Sequence, residues 1–448
     1  MKKVLGFFLA GLMLVLSVMP LSGCAEKKNK GPVTVNIWIM PNSLEPVKDL
    51  ENIVADFEKE NPNIKVKITS VDWGAAWTKI TTAATSKDVP DIVQLGSTWV
   101  GAISSMGALW DLSKKVDELG GESIFVPAGW QSHGIVGAGQ VTAVPWIVDV
   151  RAMYYRTDVF KRLGLNADSL ATWDSFEKTL EKLKSAKLVI DGVPIAPLGL
   201  SGKNDWNVIH NLAPWIWAGG GDFLSADNNQ SRINDGKAVG GIKFYIDLVK
   251  KGYVPIEYLE LNSAQVSSNF NQGACAIYFD GPYEVKTLTT PPQQGGAAGG
   301  ITARNFNVAP YPAGPDGRFC FVGGSNLAIF KASPNKEEAW LVIKHLLKPE
   351  SQIAYSKVTG FLPSVKQSFE DPYFTSNPQR KIFKEAVQYG KTYPCIPAWG
   401  VLEPILTRRF GIMWDRVTEA EGPVDVNILN EQLNLAADEI NAVLQQAQ

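Results

Sequence analysis

The sequence predicts an α/β protein of two domains, each built around a wound, largely parallel sheet. Three observations predict it. The chain has 448 residues, more than one ordinary hydrophobic core holds. Apolar residues make up 45% and charged residues 20%, the balance of a globular chain rather than a disordered one. From residue 33 onward, short β-like runs alternate with amphipathic segments of helical period, the order that builds parallel sheets.

Each element has its own reason. Residues 1–23 read as a leader: Lys2 and Lys3, then an apolar run from Val4 to Met19, too short and too abruptly ended for a stable span. Residues 24–32, lysine-rich and polar, read as a flexible tether. "VTVNIWIM" (33–40) is a strand. A helix follows with Val47, Leu50, Ile53, Val54 and Phe57 on one face, stopped by Asn61-Pro62. "IKVKITSV" (64–71) is the next strand, Trp77 to Thr85 a helix, and "DIVQLG" (91–96) a third strand.

Residues 139–165 hold two short strands flanking Pro145 and a helix begun at Asp158. Thr172 caps an amphipathic helix over 172–184. "IAPLGLSG" (195–202) is a strand. Helices are expected over 206–221, ended by glycines, and over 236–255. "GACAIYFDGP" and "RFCFVGGSNLAIF" read as buried strands, which makes Cys275 and Cys320 core thiols, although a disulfide between them stays open. With Cys395 the three leave one unpaired in any case. Residues 290–300 form a Gly/Pro-rich loop, 335–348 a helix, and the tail from 370 helices and loops.

A net charge of −2 gives no basic field for nucleic acid. The composition is unusual in its 14 tryptophans, beside 12 tyrosines and 19 phenylalanines. Rings of this kind serve cores or binding surfaces. No HExxH, GxSxG or GKS motif is present, and the three histidines, 133, 210 and 345, are scattered. No metal site and no cofactor is expected.

Two resemblances sharpen this reading. Leu21-Ser22-Gly23-Cys24, directly behind the apolar run, resembles a bacterial lipobox. That implies diacylation of Cys24, which becomes the mature N-terminus and holds the protein to the outer face of the cell membrane. Eight stretches in order, among them "ADFEKENPNIKV", "SKDVPDIVQLGSTW", "AVPWIVDVRAMYYRTDVFKRLGL", "FNQGACAIYFDGPY" and "GGSNLAIFKASPNKEEAWLVIKHLL", resemble the bacterial extracellular solute-binding proteins of family 1, the maltose-binding-protein-like kind. The resemblance implies the two-lobed periplasmic-binding-protein fold of type II, a ligand cleft between the lobes, and delivery of a sugar to the permease of an ABC importer by a monomeric, non-enzymatic protein. It implies lobe 1 at 33–146 and 308–340 and lobe 2 at 147–307 and 341–448.

A sugar site needs flat rings for the C–H face of a pyranose and short polar groups for its hydroxyls, set on loops beyond strand ends. The candidates are Trp38 at the end of the first strand and Asn42 just beyond it; Trp73 after the second; Gln94, Ser97, Thr98 and Trp99 at the third; Trp146, Asp149 and Arg151 at the first crossing; Trp206 and Asn207 where a helix opens; Asp280 and Tyr283 in "FDGPY"; Gly324; and Trp399 in "CIPAWG". Several rings along a groove point to an oligosaccharide: first a β-gluco-oligosaccharide such as a cello- or laminari-oligosaccharide, then a malto-oligosaccharide. The rival classes are a secreted glycoside hydrolase, using paired carboxylates, and an adhesion protein that holds polysaccharide without transport.

Overall fold

The computed structural model describes residues 31–446 except 204, 206, 421 and 423. The leader, Cys24, most of the tether and Trp206 lie outside the described residues.

Two sheets organise the chain. The larger takes β1 (Val33–Ile39), β2 (Ile64–Ser70), β3 (Ile92–Gly96) and β4 (Val144–Val150). The chain then enters the smaller sheet with β5 (Ala152–Arg156) and makes a two-stranded hairpin of β6 (Val189–Ile190) and β7 (Val193–Pro194). It continues through β8 (Ala196–Gly199), β9 (Cys275–Asp280) and β10 (Phe306–Ala309). It returns with β11 (Cys320–Ile329), β12 (Leu362–Pro363) and β13 (Gly390–Lys391). The orders are β12-β4-β11-β3-β1-β2, with β13 beside β11, and β10-β5-β9-β8.

The expected parallel pairing holds for β1 with β2 and β3, and for β8 with β9. The strands that carry the chain between lobes are different. β11 runs antiparallel to both β3 and β4, because it returns from the other lobe. Both strands expected around Pro145 are displaced: Pro145 lies inside β4, and the break falls at Arg151. The expected lobe boundary at 146/147 therefore cuts an unbroken strand. β10, split by the expected start at 308, pairs wholly with β5. The helices Lys336–Leu346 and Pro349–Thr359 pack on the helix Pro46–Glu60, and β12 pairs with β4. Residues 341–363 thus belong with the larger sheet and not with lobe 2.

The helices follow their sequence signals. Pro46 opens the first helix, which buries Leu50, Val54 and Phe57. Thr172 accepts from Ser175 N–H at 3.2 Å and Ser175 Oγ returns the bond, a capping box. Helix Val208–Ala218 is apolar apart from His210 and Asn211 and is buried on every face, with Trp215 and Trp217 both inside the lobe. The two longest helices, Trp399–Glu419 and Val426–Gln446, pack on each other. Cys275, Cys320 and Cys395 are buried free thiols, so no disulfide joins Cys275 to Cys320. Burial pushes the Cys275 thiol up to about 12 and leaves it unreactive. Among the described residues no helix is long and apolar enough to cross a membrane.

Candidate binding cleft

β1, β2, β3 and β4 end on the same edge of the larger sheet, because β4 is antiparallel to β11 and β11 to β3. β4 then runs straight into the second lobe through Asp149, Val150 and Arg151. The polar groups of the seam between the lobes gather here.

Arg151 is completely buried. Its guanidinium pairs with Asp149 Oδ2 at 2.9 Å and with Asp280 Oδ1 at 2.5 Å, and donates to Tyr283 Oη at 3.1 Å. Tyr278 and Tyr283 donate their hydroxyls to the two oxygens of Asp280. Burial alone would lower the guanidinium, but Asp149, Tyr283 and Asp280 hold it well above its ordinary value. The other oxygen of Asp149, Oδ1, is buried and has no hydrogen-bond partner among the described residues. Burial pushes that carboxyl up to about 6, against the pull of Arg151. A side chain at Gly281 would run into Asp149 Oδ1 and the Tyr283 ring, so glycine keeps this space open. Gly324 has φ +133° beside Ile147 O, a backbone that only glycine adopts easily and that lets β11 close on β4.

The lobes touch beside this group. A Cβ on Gly360 would lie 2.7 Å from Tyr283 Cα, and the Phe361 and Tyr283 rings are 5.2 Å apart. At another contact Leu44 reaches the loop carrying Gly295.

A second cluster adjoins through Phe321. The His210 ring stacks on Phe321 at 4.0 Å, its Nδ1 is 2.9 Å from Tyr393 Oη, and its Nε2 is 3.8 Å from Glu403 Oε1. Burial and then Arg151 push the imidazole down to about 3, so it stays neutral. Burial pushes the Glu403 carboxyl up to about 7, against hydrogen bonding from Trp399 and Thr98. Sequence reasoning missed Phe321, Tyr393 and Glu403 and set His210 aside. The one local signal for Glu403 was an acid in the apolar run "AWGVLEP".

A carboxyl raised from 4.5 to about 7 contributes stability that is present below 4.5 and lost as pH rises through 7. His210 has the opposite sense, its contribution being lost as pH falls below its usual 6.5. His210 is common to the wild type and Glu403→Gln, so the comparison of the two isolates the acid. Between pH 5 and pH 8 the wild type should lose about 2 °C or more of Tm relative to the variant. Parallel Tm curves would overturn this.

The structure brings Asp149, Arg151, Asp280, Tyr283 and Gly324 together. Ser97 N–H donates to Gly324 O at 3.0 Å, and Thr98 bears on Glu403. Trp99 and Trp73 stand at the same strand edge, their rings 5.6 Å apart. Other candidates are placed elsewhere. Trp146 is buried and stacks on Tyr355 at 4.4 Å within the larger-sheet core. Trp38 lies on the flank of that sheet, with Lys79 Nζ 4.2 Å above its ring. Gln94 spends its amide on Met40 N–H, Asn42 and Ser325. Asn42 divides its own between Gln94 and Tyr355. Both therefore position the loop after β1 and leave no polar group over for a ligand. Asn207 faces a cavity of about 10 Å³ inside the second lobe, sized for one water. Trp399 is buried and stacks on Tyr393 at 4.3 Å, supporting the Glu403 cluster rather than offering a face. A separate groove of about 1320 Å³ opens between Trp130 and His133 on one side and Trp217, Asp222 and Lys391 on the other. Tyr393 is shared between this groove and the His210 cluster. Among the described residues no group of His, Cys, Asp or Glu could hold a metal ion.

Two lobes joined by crossing strands, with a buried polar seam between them, define a solute-binding protein. The family model of the bacterial extracellular solute-binding proteins matches residues 41–353, and the chain belongs to that family. A putative binding protein of Brucella abortus is 25% identical over 393 residues, covering 87% of this chain and 89% of that one. The diacetylchitobiose binding protein DasA of Streptomyces coelicolor is 24% identical over 451 residues, covering 96% and 99%. Among solved structures, the sugar-binding protein MalE of Xanthomonas citri superposes with a TM-score of 0.76 at 24% identity, covering 92% of this chain and 98% of that one. The fold is that of the two-lobed, maltose-binding-like proteins.

Proposed function

We propose that this chain is the oligosaccharide-capturing subunit of an ABC importer, a monomer anchored through acylated Cys24 at the outer face of the cell membrane. It takes a neutral oligosaccharide, first a β-gluco-oligosaccharide of the cello- or laminari- type and then a malto-oligosaccharide, by closing its lobes, and passes it unaltered to the permease.

The observation that carries this is Asp149 Oδ1, a buried acceptor without a hydrogen-bond partner among the described residues, at the crossing between the lobes and beside the Tyr283 ring. A sugar hydroxyl is the donor such a group needs. The charge balance supports a neutral ligand over an anionic one. Asp149 and Asp280 stand against Arg151, with His210 neutral and Glu403 adding no positive charge.

A thermal-shift panel of cello-, laminari-, malto- and N-acetylchito-oligosaccharides with glycerol 3-phosphate tests the reading. A neutral oligosaccharide at a hundred times its Kd should add about 2.7 kcal/mol of apparent stability. Small-angle scattering should show compaction, and chromatography no new products. Stabilisation by glycerol 3-phosphate alone, or hydrolysis of any sugar, would refute it. Cys24→Ser should move the protein from the membrane fraction to the soluble one.

A further inference from the structure

The buried helix Val208–Ala218 begins with two amides that are not used up. Asn207 stands at its N-cap position, where an asparagine ordinarily accepts an N–H of the first turn. Its side chain makes no such bond. Asn211 lies one turn further on, its N–H donating to Asn207 O at 2.9 Å, so the two side chains leave the helix on the same face. They are 1% and 7% exposed, and both Oδ1 atoms are buried without a hydrogen-bond partner among the described residues.

Both residues line the cavity of about 10 Å³, together with Ser201 after β8, Tyr278 on β9 and Ser263. Its walls are pinned. Asp205 accepts from Asn207 N–H at 2.8 Å and from Ser263 Oγ at 2.6 Å, which ties this helix start to the helix Ser263–Asn271. Two of the neighbouring hydroxyls cannot serve the amides, because Ser263 gives its hydrogen to Asp205 and Tyr278 gives its own to Asp280. The space holds one water-sized body, and two stranded acceptors destabilise the lobe unless something donates to them. Turning either amide over would present N–H groups that need a partner just as much. Water fits in both cases, since it donates two hydrogens and accepts others. A cation is the poorer guest, because the helix N-terminus carries a positive partial charge.

We propose that one water molecule is a resident part of the second lobe, shared by the side chains of Asn207 and Asn211, and that it sets the spacing between this helix and β9. Asn207 and Asn211 are then positioning residues for His210, which sits in the same first turn and stacks on Phe321 beside Tyr393. This holds whatever solute the cleft takes.

High-resolution crystallography of the wild type, beside melting curves and histidine NMR of Asn207→Ala, Asn211→Ala and the double variant, tests this. The wild type should show a density peak about 2.7–3.2 Å from both amides. Each single variant should lose about 2 °C or more of Tm. Because one water serves both residues, the double variant should lose little more than the worse single one. The His210 ring resonances should shift in both single variants, while those of His133 and His345, in the other lobe, stay. A dry cavity, amides turned to bond each other, or Tm losses that add overturns the shared water. A Tm raised by sodium chloride over choline chloride would put a cation in its place and overturns it equally. An unmoved His210 ring in both variants overturns the positioning role.

Discussion

Arg151→Met should lower stability by about 3–5 kcal/mol, the largest single effect expected in this protein. The side chain has no exposure, and its loss leaves Asp149 and Asp280 facing each other without a counter-charge. The damage comes less from the attraction removed than from carboxylates stranded in a low-dielectric seam. The double variant Arg151→Met/Asp280→Asn should therefore recover much of the loss, since the amide oxygen still accepts from Tyr283 and the amide N–H can donate to the Tyr278 hydroxyl oxygen while the charge is gone. Urea denaturation of the three proteins measures this. A loss below about 1 kcal/mol in the single variant, or none recovered in the double, would show that Arg151 is not the electrostatic pin of the crossing.

Arg151 also marks what the sequence makes legible. Local signals specify the first strands and helices well: alternation in 64–70, the Asn-Pro stop, the Thr172 cap. Asp149, Arg151, Asp280 and Tyr283 come from motifs whose order matches the solute-binding family. What stays hidden is distance along the chain. Arg151 and Asp280 meet across 129 positions and His210 and Tyr393 across 183, and no periodicity encodes either. Trp146 shows a subtler failure. It and Asp149 are three apart in a strand, so they point to opposite faces. β4 is buried along its whole length, and a strand covered on both sides shows no alternation to separate the faces. Trp38 differs: β1 does alternate, with Ile37 and Ile39 on one core face, and the indole on the other face is partly buried against a second cluster with Ile80, Val93 and Leu95. Gln94 and Asn42 were placed correctly at strand ends, but sequence could not show that they satisfy each other.

The second large effect separates binding from stability by giving them different signs. Asp149→Asn should weaken the best neutral oligosaccharide about tenfold to a hundredfold, the worth of a hydrogen bond to a charged acceptor. The amide can turn its oxygen toward Arg151, and it then presents N–H where the ligand hydroxyl needs an acceptor. Stability of the ligand-free protein should move the other way as pH rises. The wild-type carboxyl, held up at about 6, contributes most below its ordinary 3.8, and that contribution is lost as pH passes through 6. At pH 8 the native protein carries a buried carboxylate with one oxygen unpaired, which the amide avoids, while Arg151 keeps Asp280. The Tm of Asp149→Asn relative to wild type should therefore rise between pH 4 and pH 8. A group kept for packing or for the ion pair alone would lower stability at every pH and leave affinity intact. An acceptor held ready for a ligand, at a cost to the empty protein, does the reverse, and calorimetry beside a pH series of melting curves distinguishes the two.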